Sequence, residues 1–573
     1  MKYFATRALK RSRLSSALFA AVLMPIMGSA AAQSASTEAD AKTLDKVMVT
    51  GSLIPMTQTE TATPLTVITA EDLQAKGFTS VADALQQSSF ATGGVQGQQS
   101  SASFTQGAET LSLFGLSPSY VKYLIDGRPM ANYPALYNGS DTFNNISGIP
   151  IDLVDRIEIL PGGQSSLYGS DAIAGVVNVV LKKKMDGTVI DVRGGGFKDG
   201  GGNSIRGSFA TGFSAADDRL QGLVGVQYEE KDPIWGYQRD ITKQYFQNGT
   251  SPAVAGRDFL VYGLDLNDFT TKYQFADPAN CGNVTGLYGG TEGLQSRASQ
   301  AEPYCGSFYS PGYRTIASGK KSGQAYSHVT FDLNDSTQLY GDLLYQKEKV
   351  DYNVGSNYTF WSTGPGFGYF YDPAISTDQL LTLQRVFTPE DMGPRGYRHT
   401  MNTDTSESYS LTLGAKGTLG DSNWDYDAYA ARTEYRLTEH SFARFSDAID
   451  QFFTDRVLGP QVGVDPFYGL YPEFSPNYAA FYTPITQAEF DSFTGYTNSR
   501  SKTTENTFRT QLTNGSLFSL PGGDAGLAFA VEGGRQSWDY APDARLLNGG
   551  IWGTTAVQGG GARTRYAGVA ELR

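Results

Sequence analysis

Histidine is nearly absent from this sequence, with only His328, His399 and His440 in 573 residues. None stands in an H-E-x-x-H, and the chain has no G-x-S-x-G or C-x-x-C either, so metal-hydrolase, serine-hydrolase and dithiol chemistry find no footing. The segments "DLNDF" and "DLNDS" miss the spacing of a calcium loop, and "GGQSSLYG" lacks the order of a phosphate-binding loop. No catalytic residue, metal site or cofactor is expected, and no enzyme. Positive charge is also short. Lys and Arg number 45 against 58 Asp and Glu, a formal charge of -13, which excludes a general affinity for nucleic acid. Cysteine occurs twice, at Cys281 and Cys305. In an exported chain these are expected to form a disulfide; the alternative, a two-thiol metal site, has no histidine near it in sequence.

Long apolar runs are confined to the start. Lys2, Arg7, Lys10, Arg11 and Arg13 precede "LSSALFAAVLMPIMGSA" and Ala30-Ala31-Ala32. That is the layout of a secretory signal peptide over 1–32, cleaved after Ala32. Beyond it no run of about 18 apolar residues remains, so no membrane helix is expected, although strands closed into a barrel can still cross a bilayer. What is plentiful is glycine (66), tyrosine (34) and phenylalanine (32), a composition of many strands and turns.

Residues 64–185 read as a compact α/β domain. "PLTVIT" is strand-like. Thr69-Ala-Glu-Asp72 has the form of a capping box opening a helix that Gly77 stops, and Thr79 or Ser80 opens another. "YVKYLIDGRPM" is a strand running into an Asp126-Gly127 turn. "VDRIEIL" alternates Val154, Arg156, Glu158 and Leu160 with Asp155, Ile157 and Ile159. Gly162-Gly163, Gly169 and Gly175 permit tight turns.

Three of these segments carry a resemblance. "DRIEILPGGQSSLYGSDAIAGVVNVVLKK" (155–183) is similar to the end of the plug domain of TonB-dependent outer-membrane receptors. "LIDGRPM" (124–130) is similar to the plug strand before it. "LDKVMVTG", Leu44-Asp45-Lys46-Val47-Met48-Val49-Thr50-Gly51, resembles the TonB box, the strand that TonB captures. The order is the family's own. The resemblance implies structural or gating roles for Asp126, Gly127, Arg128, Arg156, Glu158, Gly163, Tyr168, Gly169 and Asn178, with Arg156 and Glu158 expected to contact a surrounding wall. Phe114 stands where the family often has Arg, so no role is carried over there. The family's apical plug loops face its ligand. The matching segments, about 92–107 and 130–149, offer Gln96, Gln98, Gln99, Tyr133, Tyr137 and Asn138.

From residue 186 onward period-2 alternation dominates. Val224, Val226 and Tyr228 face away from Gln227 and Glu229; Val329 and Phe331 away from His328 and Thr330; Leu411 and Leu413 away from Thr412. Segments of about ten residues, apolar towards lipid and polar towards a lumen, fit a transmembrane barrel. Connections alternate between tight (near 214–218, 334–336, 420–423 and 520–524) and very long (232–322, 351–404, 439–504 and 541–561). Such alternation favours a barrel over a sandwich. Ten strands are expected, at 187–196, 203–214, 219–231, 323–333, 337–350, 405–418, 424–438, 504–517, 525–540 and 562–573. His328 is expected in a solvated position inside. The family's barrel has 22 strands, so the fold expected is a transmembrane antiparallel β-barrel with an N-terminal α/β plug in its lumen, about ten strands of it in this chain. The domain plan is 1–32 signal peptide, 33–63 periplasmic segment, 64–185 plug and 186–573 barrel.

The resemblance implies an outer-membrane receptor of a Gram-negative cell that imports an extracellular ligand. It would be driven by TonB and its inner-membrane energising complex, with outer-membrane lipid around it. The small ligand is of a type the sequence does not specify. The alternative is a non-transporting receptor or adhesin on the same scaffold. The box is read as a strand kept loose, with a Thr/Pro tether behind it that lets it extend.

Overall fold

The computed structural model describes residues 50–54, 65–91, 105–244, 256–274, 278–297, 300–355, 358–361, 368–521 and 523–573. The signal segment, residues 44–49 of the box, and Gln96, Gln98 and Gln99 lie outside the described residues.

The first body is a mixed sheet of β1 (Thr66–Thr69), β2 (Val121–Ile125), β3 (Arg128–Pro129), β4 (Val154–Pro161) and β5 (Gly175–Leu181), in the order β1-β4-β5-β2-β3. Only β2 and β5 run parallel. Helices α1 (Ala70–Ala75) and α2 (Val81–Gln86) cover it. The local chemistry is as the sequence implies. Thr69 and Asp72 close a reciprocal capping box on α1, and Ser80, not Thr79, caps α2 by accepting the Asp83 N–H. Asp126 and Gly127 have φ of +52° and +76°, the backbone of a two-residue hairpin turn joining β2 to β3. The core is apolar, with Leu85, Leu113, Tyr123, Ile157, Ile159, Val177 and Val179 all buried.

The second body is one antiparallel sheet of ten strands, each paired with its sequence neighbour. They are β6 (Thr188–Gly195), β7 (Ser204–Ala215), β8 (Leu220–Lys231), β9 (Gly319–Asn334), β10 (Thr337–Tyr352), β11 (Asn402–Thr418), β12 (Asp425–Arg444), β13 (Thr494–Leu520), β14 (Gly523–Ala541) and β15 (Gly559–Leu572). One face carries exposed Val224, Val226, Leu343, Leu411, Leu413, Phe508, Phe529 and Val531. The other carries buried Gln227, Gln324, His328, Asp342, Gln346, Thr412, Thr433 and Thr507. Contacts from β7 to β15 reach the first body, so the polar face is the inner one. Apolar outside and polar inside is the inversion a bilayer-spanning wall requires.

All ten expected strands are present, but several run further than alternation indicates. β12 reaches Arg444 and β13 begins at Thr494, inside the connection expected over 439–504. "TGYTNSRSKT" is polar on both faces and still pairs residue for residue with β12. Beyond the bilayer no lipid imposes an apolar face, so the backbone ladder continues without the side-chain signal.

The long connections fold onto one another. Strands Phe259–Asp265, Thr271–Gln274, Gly293–Arg297, Gln300–Gly306, Tyr358–Trp361 and Gln379–Val386 form a separate sheet. Cys281 and Cys305 are bonded beside it and buried. Phe370, Phe474, Phe481 and Tyr482, from the connections 351–404 and 439–504, are buried in the same cluster, while Phe467 and Tyr468 stay exposed. These four buried side chains therefore serve loop packing.

Candidate functional site

The segment Thr50–Ile54 lies between the plug sheet and the wall. Thr50, Ser52, Leu53 and Ile54 are all buried. Thr50 is held by Glu158, a carboxylate with no exposure at all on β4. The Thr50 N–H donates to Glu158 Oε2 at 3.0 Å, and its hydroxyl donates to the same oxygen. Asn178 Nδ2 donates to Thr50 Oγ1 at 3.1 Å and to Glu158 Oε2 at 3.3 Å. Arg156 Nε donates to Glu158 Oε1 at 2.8 Å. Four donors converge on this one buried carboxylate and offset the loss of its water. Gly51 donates its N–H to the Tyr168 hydroxyl at 2.9 Å. Burial pushes the Tyr168 phenol up, so it stays protonated at neutral pH. Gly51 has φ +108°, and a Cβ there would stand 3.0 Å from Leu160 Cδ2, so only glycine fits.

The next residues clasp the wall. Ser52 Oγ donates to Glu571 Oε1 at 2.7 Å, and the Leu53 N–H donates to Glu571 Oε2 at 2.6 Å. Gln511 Nε2 donates to the Leu53 carbonyl at 3.0 Å. Leu53 and Ile54 pack on Ala528 and Ala530 of β14. Ser52–Ile54, just after the box, form a clasp between plug and wall; the Thr/Pro tether expected behind it, residues 55–64, lies outside the described residues. One expectation is corrected: among the described residues, Arg156 and Glu158 do not meet the wall. Arg156 pairs with Asp155 and Glu158 inside the plug, because Thr50 and Asn178 take the remaining capacity of Glu158.

The wall is met instead through the Asp126-Gly127-Arg128 turn. Arg128 Nη1 lies 2.8 Å from Asp342 Oδ2 on β10, with its guanidinium over the rings of Tyr340 and Tyr429. Lys183 Nζ bridges Asp126 Oδ2 at 2.7 Å and Asp342 Oδ1 at 2.9 Å. His328 Nδ1 is 2.6 Å from Asp342 Oδ1. His328 is thus buried in an ion-paired junction, not solvated. Gly127 donates its N–H to Asn178 Oδ1 at 2.9 Å, so one asparagine links the wall-docking turn to Thr50. Gly163 lies just past β4, and Gly169 closes the short helix α3 (Ser165–Tyr168). A second junction surrounds Lys320, with Glu109 of the plug at 3.5 Å and wall residues Glu229 and Glu348 at 3.5 and 3.3 Å.

At the other end of the plug, a cavity of about 520 Å³ is lined by Asn132, Tyr133, Thr503, Glu505, Trp538 and Arg563 among others. Of the ligand candidates, Tyr133 reaches it but is buried against Phe143 and Tyr435. Tyr137 packs edge-on against Phe143, and Asn138 is exposed in a turn. Trp538, Glu505 and Arg563 were not singled out from sequence. Trp538 shares an inward face of small and polar residues, and that misfit is the signal that marks it. Its indole donates to the Pro134 carbonyl at 2.9 Å. Among the described residues no group of three or more His, Cys, Asp or Glu is placed to hold a metal ion.

Residues 57–176 match the family model described as TonB-dependent Receptor Plug Domain. Among solved structures, the chain is similar to a ferric enterobactin receptor (PfeA) mutant from Pseudomonas aeruginosa, at 16% identity and TM-score 0.48, covering 89% of this chain and 55% of that one. It is similar to the siderophore receptor PirA from Acinetobacter baumannii at 15% identity and TM-score 0.44, covering 83% and 48%. It is similar to the ferripyoverdine receptor of the outer membrane of Pseudomonas aeruginosa at 13% identity and TM-score 0.47, covering 91% and 50%. The chain spans about half the length of these structures.

Proposed function

We propose that this chain, which carries the plug domain of a TonB-dependent receptor against a ten-stranded wall, serves an outer-membrane importer whose box is held at rest by Glu158. In this reading residues 1–32 direct export, 44–51 are the strand offered to TonB, 64–185 block the lumen and 186–573 build the wall. An extracellular ligand of small size enters from the side of the long connections, where the cavity beside Tyr133 and Trp538 opens.

The observation that carries the reading is the contact of Thr50 and Gly51, the end of the box, with Glu158, Asn178 and Tyr168. A strand meant for capture by another protein has to be withheld until needed, because an unpaired strand is an aggregation hazard. Polar contacts are suited to that task, since water replaces them on release. Force applied to the box reaches the clasp at Ser52–Ile54 and then β1, an edge strand of the plug sheet that pairs only with β4 over four residues. Pulling there peels one short ladder before any central strand is disturbed. The energy source in this reading is the inner-membrane complex acting through TonB, and the chain itself needs no cofactor.

Val47→Pro tests the reading. Proline removes the N–H that an added strand needs. Capture of the purified receptor by the periplasmic domain of TonB is expected to fall at least tenfold, and ligand uptake with it. Unchanged capture would sink the assignment of 44–51.

A further inference from the structure

The plug sheet contains one polar residue that holding the box does not by itself explain. β5 runs through the middle of that sheet, between β4 and β2, and reads "GVVNVVL". Its apolar run is broken once, by Asn178. This residue stands in register with Glu158 of β4 and Leu124 of β2 and is buried at 7% exposure. A buried amide in a central strand costs stability unless both of its ends are bonded. Both are. Oδ1 accepts the Gly127 N–H at 2.9 Å, and Nδ2 donates to Thr50 Oγ1 at 3.1 Å and to Glu158 Oε2 at 3.3 Å. That orientation is forced, since an N–H needs an acceptor and a carboxylate needs a donor.

The two ends serve different parts of the molecule. Gly127 belongs to the turn that docks on the wall, where Arg128 and Lys183 meet Asp342. Thr50 is the end of the box. Among the described residues no other side chain bonds to both. Asp126 is held by the Val179 carbonyl, the Leu181 N–H and Lys183, and Gly51 by Tyr168. The turn also leads to the cavity. It continues through the two-residue strand β3 into Ala131, Asn132 and Tyr133, and the last two line the cavity beside Trp538. Asn144 Nδ2 ties this stretch together, donating to the Ala131 carbonyl at 3.1 Å and to Asn132 Oδ1 at 3.2 Å.

An amide is planar, so its oxygen and nitrogen turn together about one bond. When the turn shifts, an amide that follows the Gly127 N–H withdraws Nδ2 from Thr50. An amide that stays leaves that N–H unpaired. The ladders on either side fix the backbone of Asn178, so its side chain absorbs the change. We propose that Asn178 is a positioning residue that relays displacement of the 126–128 turn to the box, so that contacts at the wall and the cavity set how firmly Thr50 is held. This relay rests on residues 44–51 being the box, and it names how their release is regulated.

The test is a double-variant cycle read by thiol labelling of Met48→Cys, without ligand. Arg128→Ala loosens the turn, while Asp342 keeps Lys183 and His328. With Asn178 present it is expected to raise the labelling rate about fivefold, the effect of losing one buried hydrogen bond. In Asn178→Ala the starting rate is higher, and adding Arg128→Ala should change it by less than about 1.5-fold. Residues 65–185 should stay protease-resistant in every member of the cycle. If Asn178→Ala does not fold, Asn178→Ser carries the test, because its hydroxyl is too short to reach both partners. The same fold-change in both backgrounds would overturn the relay, as would no change on Arg128→Ala with Asn178 present. Faster labelling accompanied by protease sensitivity would overturn it too, by assigning the effect to unfolding. Labelling does not involve TonB, so these outcomes are distinct from a failure of Val47→Pro to lower capture.

Discussion

Glu158→Ala is expected to expose the box without ligand. The substitution removes the oxygen that accepts from the Thr50 N–H, the Thr50 hydroxyl and Asn178, and the one that accepts from Arg156. Hydrogen bonds to a charged group contribute about 1.5–3 kcal/mol each, and bonds sharing one acceptor do not add fully. A loss of about 2–3 kcal/mol from the closed state corresponds to roughly 30- to 150-fold greater opening. The rate at which a thiol reagent labels Met48→Cys reads this directly, and it should rise by that factor. Glu158→Gln keeps the shape and one acceptor, so its effect should be nearer tenfold. The clasp of Ser52 and Leu53 on Glu571 is untouched in both variants. The box is thus freed while its attachment to the wall persists, and the plug should stay folded.

The second large effect is expected at Asp342. Arg128, Lys183 and His328 converge on this one carboxylate. Asp342→Ala strands the Arg128 guanidinium, largely shielded from water, without its carboxylate, while Lys183 keeps Asp126. Breaking a buried pair from one side costs about 3–5 kcal/mol, most of it from the charge left behind. The change should appear as protease sensitivity of residues 65–185 in detergent, with the wall resistant. Adding Arg128→Ala removes one stranded charge, so the double variant should recover part of the loss. A coupling of at least about 1.5 kcal/mol between the two sites is expected. Additive losses would mean that the turn docks through its backbone and rings, and that the ion pair is incidental.

The parts of this structure governed by short-range chemistry were legible in the sequence. The Thr69–Asp72 box, the Asp126-Gly127 hairpin and all ten strands follow from residues within a few positions of one another. Alternation fell short where β12 and β13 leave the apolar band and no lipid enforces it, and it left the six-stranded sheet of the long connections unread. The site was less legible, because its pairs join distant residues. Arg128 and Asp342 are 214 positions apart, and Leu53 and Glu571 are 518 apart. Only the register of the wall brings them together. Glu158 carried a readable anomaly, a carboxylate between Ile157 and Ile159, and the reading assigned it to the wall. The partner it has instead is the end of the box.

The central claim is that the contact between Thr50 and Glu158 controls access to the box. The most direct test compares the affinity of the periplasmic TonB domain for the wild-type receptor and for Glu158→Ala, both without ligand. If only the open state is competent, apparent affinity scales with its population. The account predicts tighter binding to Glu158→Ala, by a factor matching the gain in Met48→Cys labelling, with Val47→Pro abolishing it in both backgrounds. Equal affinities beside a large change in labelling would contradict it, because opening at Thr50 would then not be what TonB waits for.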